Sequence, residues 1–386
     1  MKRSPHTLVT ITVAAACALG HSPAGAQPAG AQPRPASAVT GTQPLAAAVA
    51  GARADAGAPA VGAVVVGCVA PAQVAVEGVA RVGGTERLRE DARFNIGSNA
   101  KSMLASLAAT YVQDGTLRWT TTVGEVLGGD VPGIHEALGR ATLAQLLSHR
   151  SGLPGFDTGA ELRGVRVEGD TPSAQRLAFA RQVLRGAPAY PAGSKAVYSN
   201  AGYVVAGVML ERIGGQPFEQ LMAERLFRPL GMQPRFGSPV PPDAGQPWGH
   251  YLSDGELTAY DDPDPVIPPF LQPAGDVSLT LADYGRYLRE HLCGLEGRPT
   301  RLLSPATIRA LHAPQGPDSA GMGWGHLDLG GTSSSVHVGG TGAFLAFVAV
   351  QPGRDRAVAT VTNAGDAKAR AAALALLEQL TRTDVK

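Results

Sequence analysis

Strong charge is what this chain lacks most clearly. Its 386 residues carry a formal net charge of +1, and only 17% of them are Asp, Glu, Lys or Arg. No electrostatic argument therefore favours nucleic acid or an anionic membrane as a partner. Cysteine is scarce as well, with 3 in all. No Cys/His cluster has metal-ligand spacing, so no metal and no other cofactor is expected. Long apolar runs are missing too: the stretch Leu8 to Leu19 is too short to span a bilayer. There are no internal repeats.

What is present is a globular composition. Hydrophobic residues make up 44%, which is ample for a buried core, and 49 Gly with 30 Pro point to many turns and long loops rather than a bundle of long helices. Residues 1–26 read as a signal peptide. Lys2 and Arg3 form a basic n-region, Leu8 to Leu19 is the apolar core, and Ala24-Gly25-Ala26 is an A-x-A cleavage site. The chain is thus expected in the periplasm or outside the cell, with no membrane span in the mature form. Cys17 raises lipoprotein anchoring as an alternative, although Ala14-Ala15-Ala16 before it is a poor lipobox. Cleavage would leave 31 basic and 32 acidic residues. Only Cys68 and Cys293 would survive. A chain of this size does not need a disulfide, and Cys68 lies in the apolar run Val64 to Val69 like a core strand residue. Two buried free thiols are expected.

Residues 27–44 are rich in Gln, Pro, Ala and Gly without periodicity and read as a disordered tether. Ala60–Val69 and Gln73–Val82 read as two strands joined in a hairpin through Ala70-Pro71. Helical patterning starts at Ser98, with Leu104, Leu107, Ala108 and Tyr111 on one face, and Asp114-Gly115 stops it. Further helices are expected at Leu143–His149, Tyr203–Ile213 and Phe218–Leu226. Gly237–Pro273 reads as a long surface excursion without secondary structure. Val336–Val338, Ala343–Val350 and Arg356–Thr362 are expected strands, with a helix at Ala371–Leu380. Strands at both ends with helices between them imply an α/β fold. One mostly antiparallel sheet would be built from residues of about 45–100 and 274–386, with a helical part at about 101–273, all within one domain at 45–386.

Three short motifs carry the chemistry. Ser98 and Lys101 are three residues apart, so a helix puts a nucleophile and a base on one face. A start of the helix at Ser98 also places its backbone N–H in a positive local field. S-x-x-K alone is common, and an N-cap serine beside a solvated lysine is its bland reading. Tyr198-Ser199-Asn200 follows Pro191-Ala192-Gly193 on a loop just before a helix. A tyrosine there can relay protons, and an amide can bind both Lys101 and a substrate amide; the bland reading is a turn whose Asn200 caps the helix. His337-Val338-Gly339-Gly340-Thr341-Gly342 reads as a strand that bends. Its glycines let a substrate lie against a sheet edge, and the Gly340 N–H can pair with that of Ser98 as an oxyanion hole.

Taken together, the motifs resemble the serine β-lactamase and penicillin-binding protein superfamily, in its class C-like branch. Leu146-Leu147-Ser148-His149-Arg150-Ser151-Gly152-Leu153-Pro154 is similar to the "LLTHTSGLP" segment of that branch, and Tyr198 to Tyr203 to its "YSNxGY" corner. Pro229-Leu230-Gly231-Met232 and Gly323-Trp324 match further signatures. The resemblance implies a β-lactamase/transpeptidase-like fold with the site between its two parts. It implies Ser98 as acylated nucleophile, Lys101 as base, Tyr198 as proton relay and activator of the deacylating water, and Asn200 as a substrate-positioning group. His337 would take the place of the Lys in K-T-G, with Gly339, Gly340 and Thr341 also binding substrate. Val338 replaces a Thr that helps bind a substrate carboxylate, which favours an esterase or peptidase-like activity over β-lactam turnover. There is no acidic loop motif of the class A type. The implied substrate is a small molecule or a peptidoglycan fragment: a β-lactam, a D-amino-acid peptide or a short-chain ester. True β-lactamase, D-alanyl-D-alanine carboxypeptidase and a penicillin-binding sensor that acylates and stalls remain open alternatives.

Overall fold

The structure, a computed structural model, describes residues 44–157, 159–162, 165–262, 265–316 and 320–382. The expected signal peptide, and the expected tether up to residue 43, lie outside the described residues. The strands, in chain order, are β1 (Ala60–Val66), β2 (Gln73–Gly78), β3 (Arg93–Asn95), β4 (Arg235–Phe236), β5 (His250–Ser253), β6 (Glu256–Ala259), β7 (Val277–Thr280), β8 (Gly325–Asp328), β9 (Ser333–Gly340), β10 (Leu345–Gln351) and β11 (Arg356–Thr362).

Six of them form one antiparallel sheet in the order β2-β1-β11-β10-β9-β8. The two ends of the chain meet in its middle, where β1 pairs with β11 in the register Val61↔Thr362 to Val66↔Ala357. Every residue of β1, β10 and β11 is buried, because helices cover both faces. The period-two alternation of a strand divides β1 between two cores. Ala60, Val64 and Val66 face one, and Val61, Ala63 and Val65 face the other. Helix α1 (Leu45–Ala56) and the C-terminal helix Ala367–Arg382 close the second face. Helix Leu281–Leu295 closes the first, and it comes so near that a Cβ on Gly62 would lie 2.7 Å from Leu281 Cδ1. The larger core continues into the helices between residues 100 and 230, so the α/β reading holds as an antiparallel sheet flanked by helices. A second small sheet, β3-β7-β4, pairs Asn95 with Ser278 and Phe236 with Val277. It stands where the chain is about to reach Ser98.

Two expectations are corrected. Residues 237–273 are not without secondary structure. They hold the β5–β6 hairpin, whose Asp254-Gly255 turn has φ of +50° and +85°, and a 3-10 turn at Pro269–Ala274. Asp-Gly with both φ positive is turn chemistry that matches the twist of the paired strands. Cys68 and Cys293 are not free thiols but form a disulfide, with Cα atoms 5.3 Å apart across a separation of 225 residues. Cys68 is not a strand residue either. It lies just past the end of β1, where the chain turns toward helix Leu281–Leu295 and meets Cys293. Among the described residues no helix is long and apolar enough to cross a membrane.

Buried imidazoles make this fold acid-labile. Desolvation pushes His291 down to about 3 and His337 down to about 4, and it holds His149 and His312 well below the ordinary histidine range. Unfolding returns each to about 6.5, so below that pH the unfolded chain binds more protons than the folded one. The stability is complete above about pH 6.5 and is lost as pH falls, by up to about 1.4 kcal/mol per pH unit for each histidine. Asp276, pushed up to about 7 by burial, and Asp157 and Glu296, also pushed up, work in the opposite sense, while burial lowers His250 as well, so three groups stand against five. The midpoint of thermal unfolding is expected to fall by several degrees between pH 6.5 and pH 5. A midpoint constant across that window would contradict the histidine burial.

Candidate active site

The turn that carries Ser98 is held from both sides. β3 ends at Asn95, whose Oδ1 accepts the Gly97 N–H at 2.9 Å, while the Ile96 N–H donates to Val277 O at 2.9 Å. The backbone passes through Gly97 at φ +50° into a 3-10 turn, Gly97–Asn99, and only then enters helix α2 (Ala100–Gln113). Strand β9 presses on this turn. A Cβ on Gly339 would lie 2.0 Å from Ile96 O and 3.0 Å from Ser98 N, and one on Gly97 would lie 2.5 Å from Gly340 N. Such an approach is open only to glycine. Gly340 and Ser98 thereby line one narrow cleft.

Lys101 is fully buried beneath Ser98. Its Nζ has three partners: Ser98 Oγ at 3.1 Å, Asn200 Oδ1 at 2.7 Å and Ala274 O at 2.5 Å. Burial holds its pKa well below the ordinary lysine range, and the Asp157 carboxyl opposes this only in part. A neutral amine has two N–H donors and one lone pair. The two carbonyl oxygens take the donors, which leaves the lone pair directed at Ser98 Oγ. On its other side Ser98 Oγ lies 2.6 Å from Tyr198 Oη. A hydroxyl set between an amine lone pair and a phenol can lose its proton to one and receive a hydrogen bond from the other.

Tyr198 and Asn200 are fixed by the start of helix Asn200–Gly214. Ser199 is the cap of this helix, accepting the Gly202 N–H at 3.0 Å, so Asn200 is free for other work. The Asn200 Nδ2 donates to Phe156 O at 2.8 Å, which sets its Oδ1 toward Lys101. His149 packs its ring 4.6 Å from that of Tyr198 and accepts the Ser199 N–H on Nδ1 at 3.1 Å. It is neutral for the reason given above.

The site residues expected on β9 divide. Gly339 and Gly340 lie against the Ser98 turn. His337 is buried, and its Nδ1–H donates to Gly323 O at 2.7 Å. It is therefore a neutral imidazole at pH 7 and not a replacement for a lysine cation. Thr341 is buried in the bend after β9, where its Oγ1 accepts the Ala343 and Phe344 N–H groups at 3.3 and 3.1 Å. That geometry gives it a turn-holding role.

Other residues were not anticipated. Ala274 contributes only its carbonyl, for which a sequence carries no signal. Asn95 had one: an Asn two residues before a glycine is the Asx-turn pattern. Its Nδ2 also donates to Asp276 Oδ1 at 2.9 Å, tying the Ser98 turn to a buried carboxyl. Asp157 stands in the wall of the cleft with Phe156, Asn200, Ile267, Leu271 and Gly340. Burial and the neighbouring Glu161 carboxyl push it up. This cleft is tight, with about 40 Å³ open to a water-sized molecule. A larger cavity, about 1020 Å³ along Phe227–Val240, contains none of these groups.

The profile of the Beta-lactamase family matches residues 45–381. The chain belongs to the Beta-lactamase family. It is 31% identical over 305 residues to penicillin-binding protein 4 of Amycolatopsis lactamdurans, covering 75% of this chain and 76% of that one. To unguisins hydrolase ungD of Aspergillus violaceofuscus it is 25% identical over 320 residues, covering 74% of this chain and spanning only 55% of that protein. Its fold matches the octameric penicillin-binding protein homologue from Pyrococcus abyssi at a TM-score of 0.71, with 21% identity, over 87% of this chain and 76% of that one.

In this Beta-lactamase family member the two glycines of β9 are not equivalent. A Cβ on Gly340 would meet only the flexible end of Leu345, at 3.0 Å, and Phe344 O at 3.5 Å. Gly339→Ala is expected to lower the unfolding free energy by about 1–3 kcal/mol or more, the cost of overpacking, and Gly340→Ala by less than about 1 kcal/mol. Equal effects in denaturant titrations would contradict the wedge of Gly339 against the Ser98 turn.

Proposed function

We propose that this chain is a serine hydrolase that cleaves an ester or amide through an acyl-enzyme on Ser98. The observation that supports it is the surroundings of Lys101, whose lone pair is left facing Ser98 Oγ. Neutral Lys101 takes the Ser98 proton as Oγ attacks the carbonyl carbon. The N–H groups of Ser98 and Gly340 hold the resulting oxyanion. Tyr198 gives its proton to the leaving nitrogen or oxygen, the bond to the leaving group breaks, and the phenol is restored from Lys101. In the second half Tyr198 passes its proton to neutral Lys101 as it takes one from water, the water oxygen attacks the acyl carbon, and the Lys101 ammonium returns a proton to Ser98 Oγ as it leaves. Asn200 both fixes Lys101 and offers its amide to substrate. We read residues 45–386 as the hydrolase and residues 1–26 as an export leader.

Intact-mass spectrometry after treatment with a fluorophosphonate is expected to show one adduct on Ser98 and none on Ser98→Ala. Lys101→Ala and Tyr198→Phe are each expected to cut turnover by roughly two to four orders of magnitude. The double variant should lose far less than the product, because both act on one proton path. An adduct on Ser98→Ala, or full additivity, would overturn the assignment.

A further inference from the structure

Strained backbone gathers around Ser98. Among the described residues the non-glycine positions with positive φ are His149, Phe156, Asp254, Asp276 and Asp355. Asp254 and Asp355 turn the β5–β6 and β10–β11 hairpins. The other three stand by the catalytic groups. His149 packs on Tyr198, Phe156 O binds Asn200, and Asp276, at φ +73°, comes two residues after the Ala274 carbonyl that binds Lys101. A left-handed conformation is costly for any residue with a Cβ. Asp276 bears a second cost, since it is buried and its carboxyl is pushed up to about 7 by that burial. Among the described residues no cation pairs with it, and its hydrogen-bonding side chains are the amides of Asn95 and Gln272. A glycine here would remove both costs, so the presence of a carboxyl points to a use.

That use lies in Asn95. A side-chain amide can sit either way round, and its neighbours decide which. The Asn95 Nδ2 donates to Asp276 Oδ1 at 2.9 Å and to Ser238 Oγ at 3.1 Å, which leaves Oδ1 to accept the Gly97 N–H at 2.9 Å. A hydroxyl such as that of Ser238 can donate or accept and tolerates either orientation, whereas a carboxylate only accepts. Reversed, the amide would set N–H against N–H at Gly97 and release the turn that carries Ser98. The carboxyl itself belongs to another segment. Asp276 is joined through Gly275 to the 3-10 turn that ends at Ala274, and Gly275 runs alongside Gly97, with a Cβ on it lying 3.6 Å from Gly97 O.

We propose that Asp276 is a positioning residue for the nucleophile: its carboxyl fixes which way the Asn95 amide points, and so locks the Ser98 turn to the segment that presents Ala274 O to Lys101. This rests on the acyl-enzyme reading given above. A single contact then sets the nucleophile and its base relative to one another, and its loss misplaces Ser98 Oγ without emptying the cleft. The effect belongs in the rate of acylation and not in the binding of the ester.

The test is single-turnover acylation by p-nitrophenyl butyrate at pH 8, where the carboxyl is mostly ionised, with thermal unfolding of each variant alongside. In Asp276→Gly the limiting rate is expected to fall at least tenfold, the half-saturating ester concentration to stay within threefold, and the unfolding midpoint to equal that of wild type or exceed it. Asp276→Asn, which keeps an acceptor but can turn over, should recover part of the rate. Asn95→Ala should lose a similar factor, and the double variant Asn95→Ala/Asp276→Gly little more than either alone. Asp276→Gly acylating within threefold of wild type overturns the proposal, as do losses that multiply in the double variant. A midpoint lowered by more than about 5 °C in Asp276→Gly overturns it too, because the carboxyl is then a stabilising group of the fold. In each of these cases acylation of wild type leaves the hydrolase reading intact. No acylation of wild type by the ester or by a fluorophosphonate sinks that reading and this one with it.

Discussion

Everything in the site depends on keeping the Lys101 amine out of water. A lysine in solution is an ammonium ion and cannot take a proton from a serine. Among the described residues no carboxylate is within hydrogen-bond reach of Nζ, whose partners are a hydroxyl and two carbonyl oxygens. An uncompensated buried charge is costly, so burial drives the group toward its neutral form. The rings of Tyr198 and Tyr203, with centres 4.7 and 5.4 Å from Nζ, occupy space that water would otherwise fill. Neutral His149 completes the same dry layer against both tyrosines.

The fold supplies this environment from parts that are distant in sequence. α2 brings Ser98 and Lys101, the start of helix Asn200–Gly214 brings Asn200, the turn before β7 brings Ala274 O, and β9 brings the two glycines. What holds them in register is the sheet assembled from both ends of the chain, with β1 between β2 and β11 and β9 paired to β10 as Gly339↔Ala346 and Gly340↔Leu345. β9 can reach the Ser98 turn only because Gly339 presents no Cβ there. A sub-ångström demand on the backbone is thus met by the absence of a side chain, and the rigidity of the paired strands keeps that approach from relaxing.

Much of this was legible because local chemistry and global fold agree. The alternation at Val74 and Val76 in β2, the apolar run of β1, the largely apolar runs of β10 and β11, and the i, i+3, i+4 pattern after Ser98 each signal their own geometry. The motifs at Ser98, Tyr198 and His337 lie close enough to known patterns for the family to be read directly. What was not legible has physical reasons. No element was expected over Leu45–Ala56, an alanine-rich stretch; it is a helix because Leu45, Ala48, Val49 and Ala52 find a sheet face to cover. The Cys68–Cys293 bond depends on a proximity that 225 intervening residues conceal. The charge state of His337 depends on Gly323 O, a backbone atom from another segment. Asp157 reads as one acid among several in a polar loop until Asn200 and Ser98 are placed beside it.

The neutral state of Lys101 has a direct kinetic signature. If Ser98 is acylated through this amine, the single-turnover acylation rate should follow the titration of Lys101 in the folded protein. Measured against pH with a neutral ester, and within the range where the fold is intact, the rate should reach its plateau well below the alkaline range of an ordinary lysine. A rate that keeps climbing through pH 8 and levels only in the alkaline range of an ordinary lysine would show that Lys101 is charged at neutral pH, and the account built on its burial would fail.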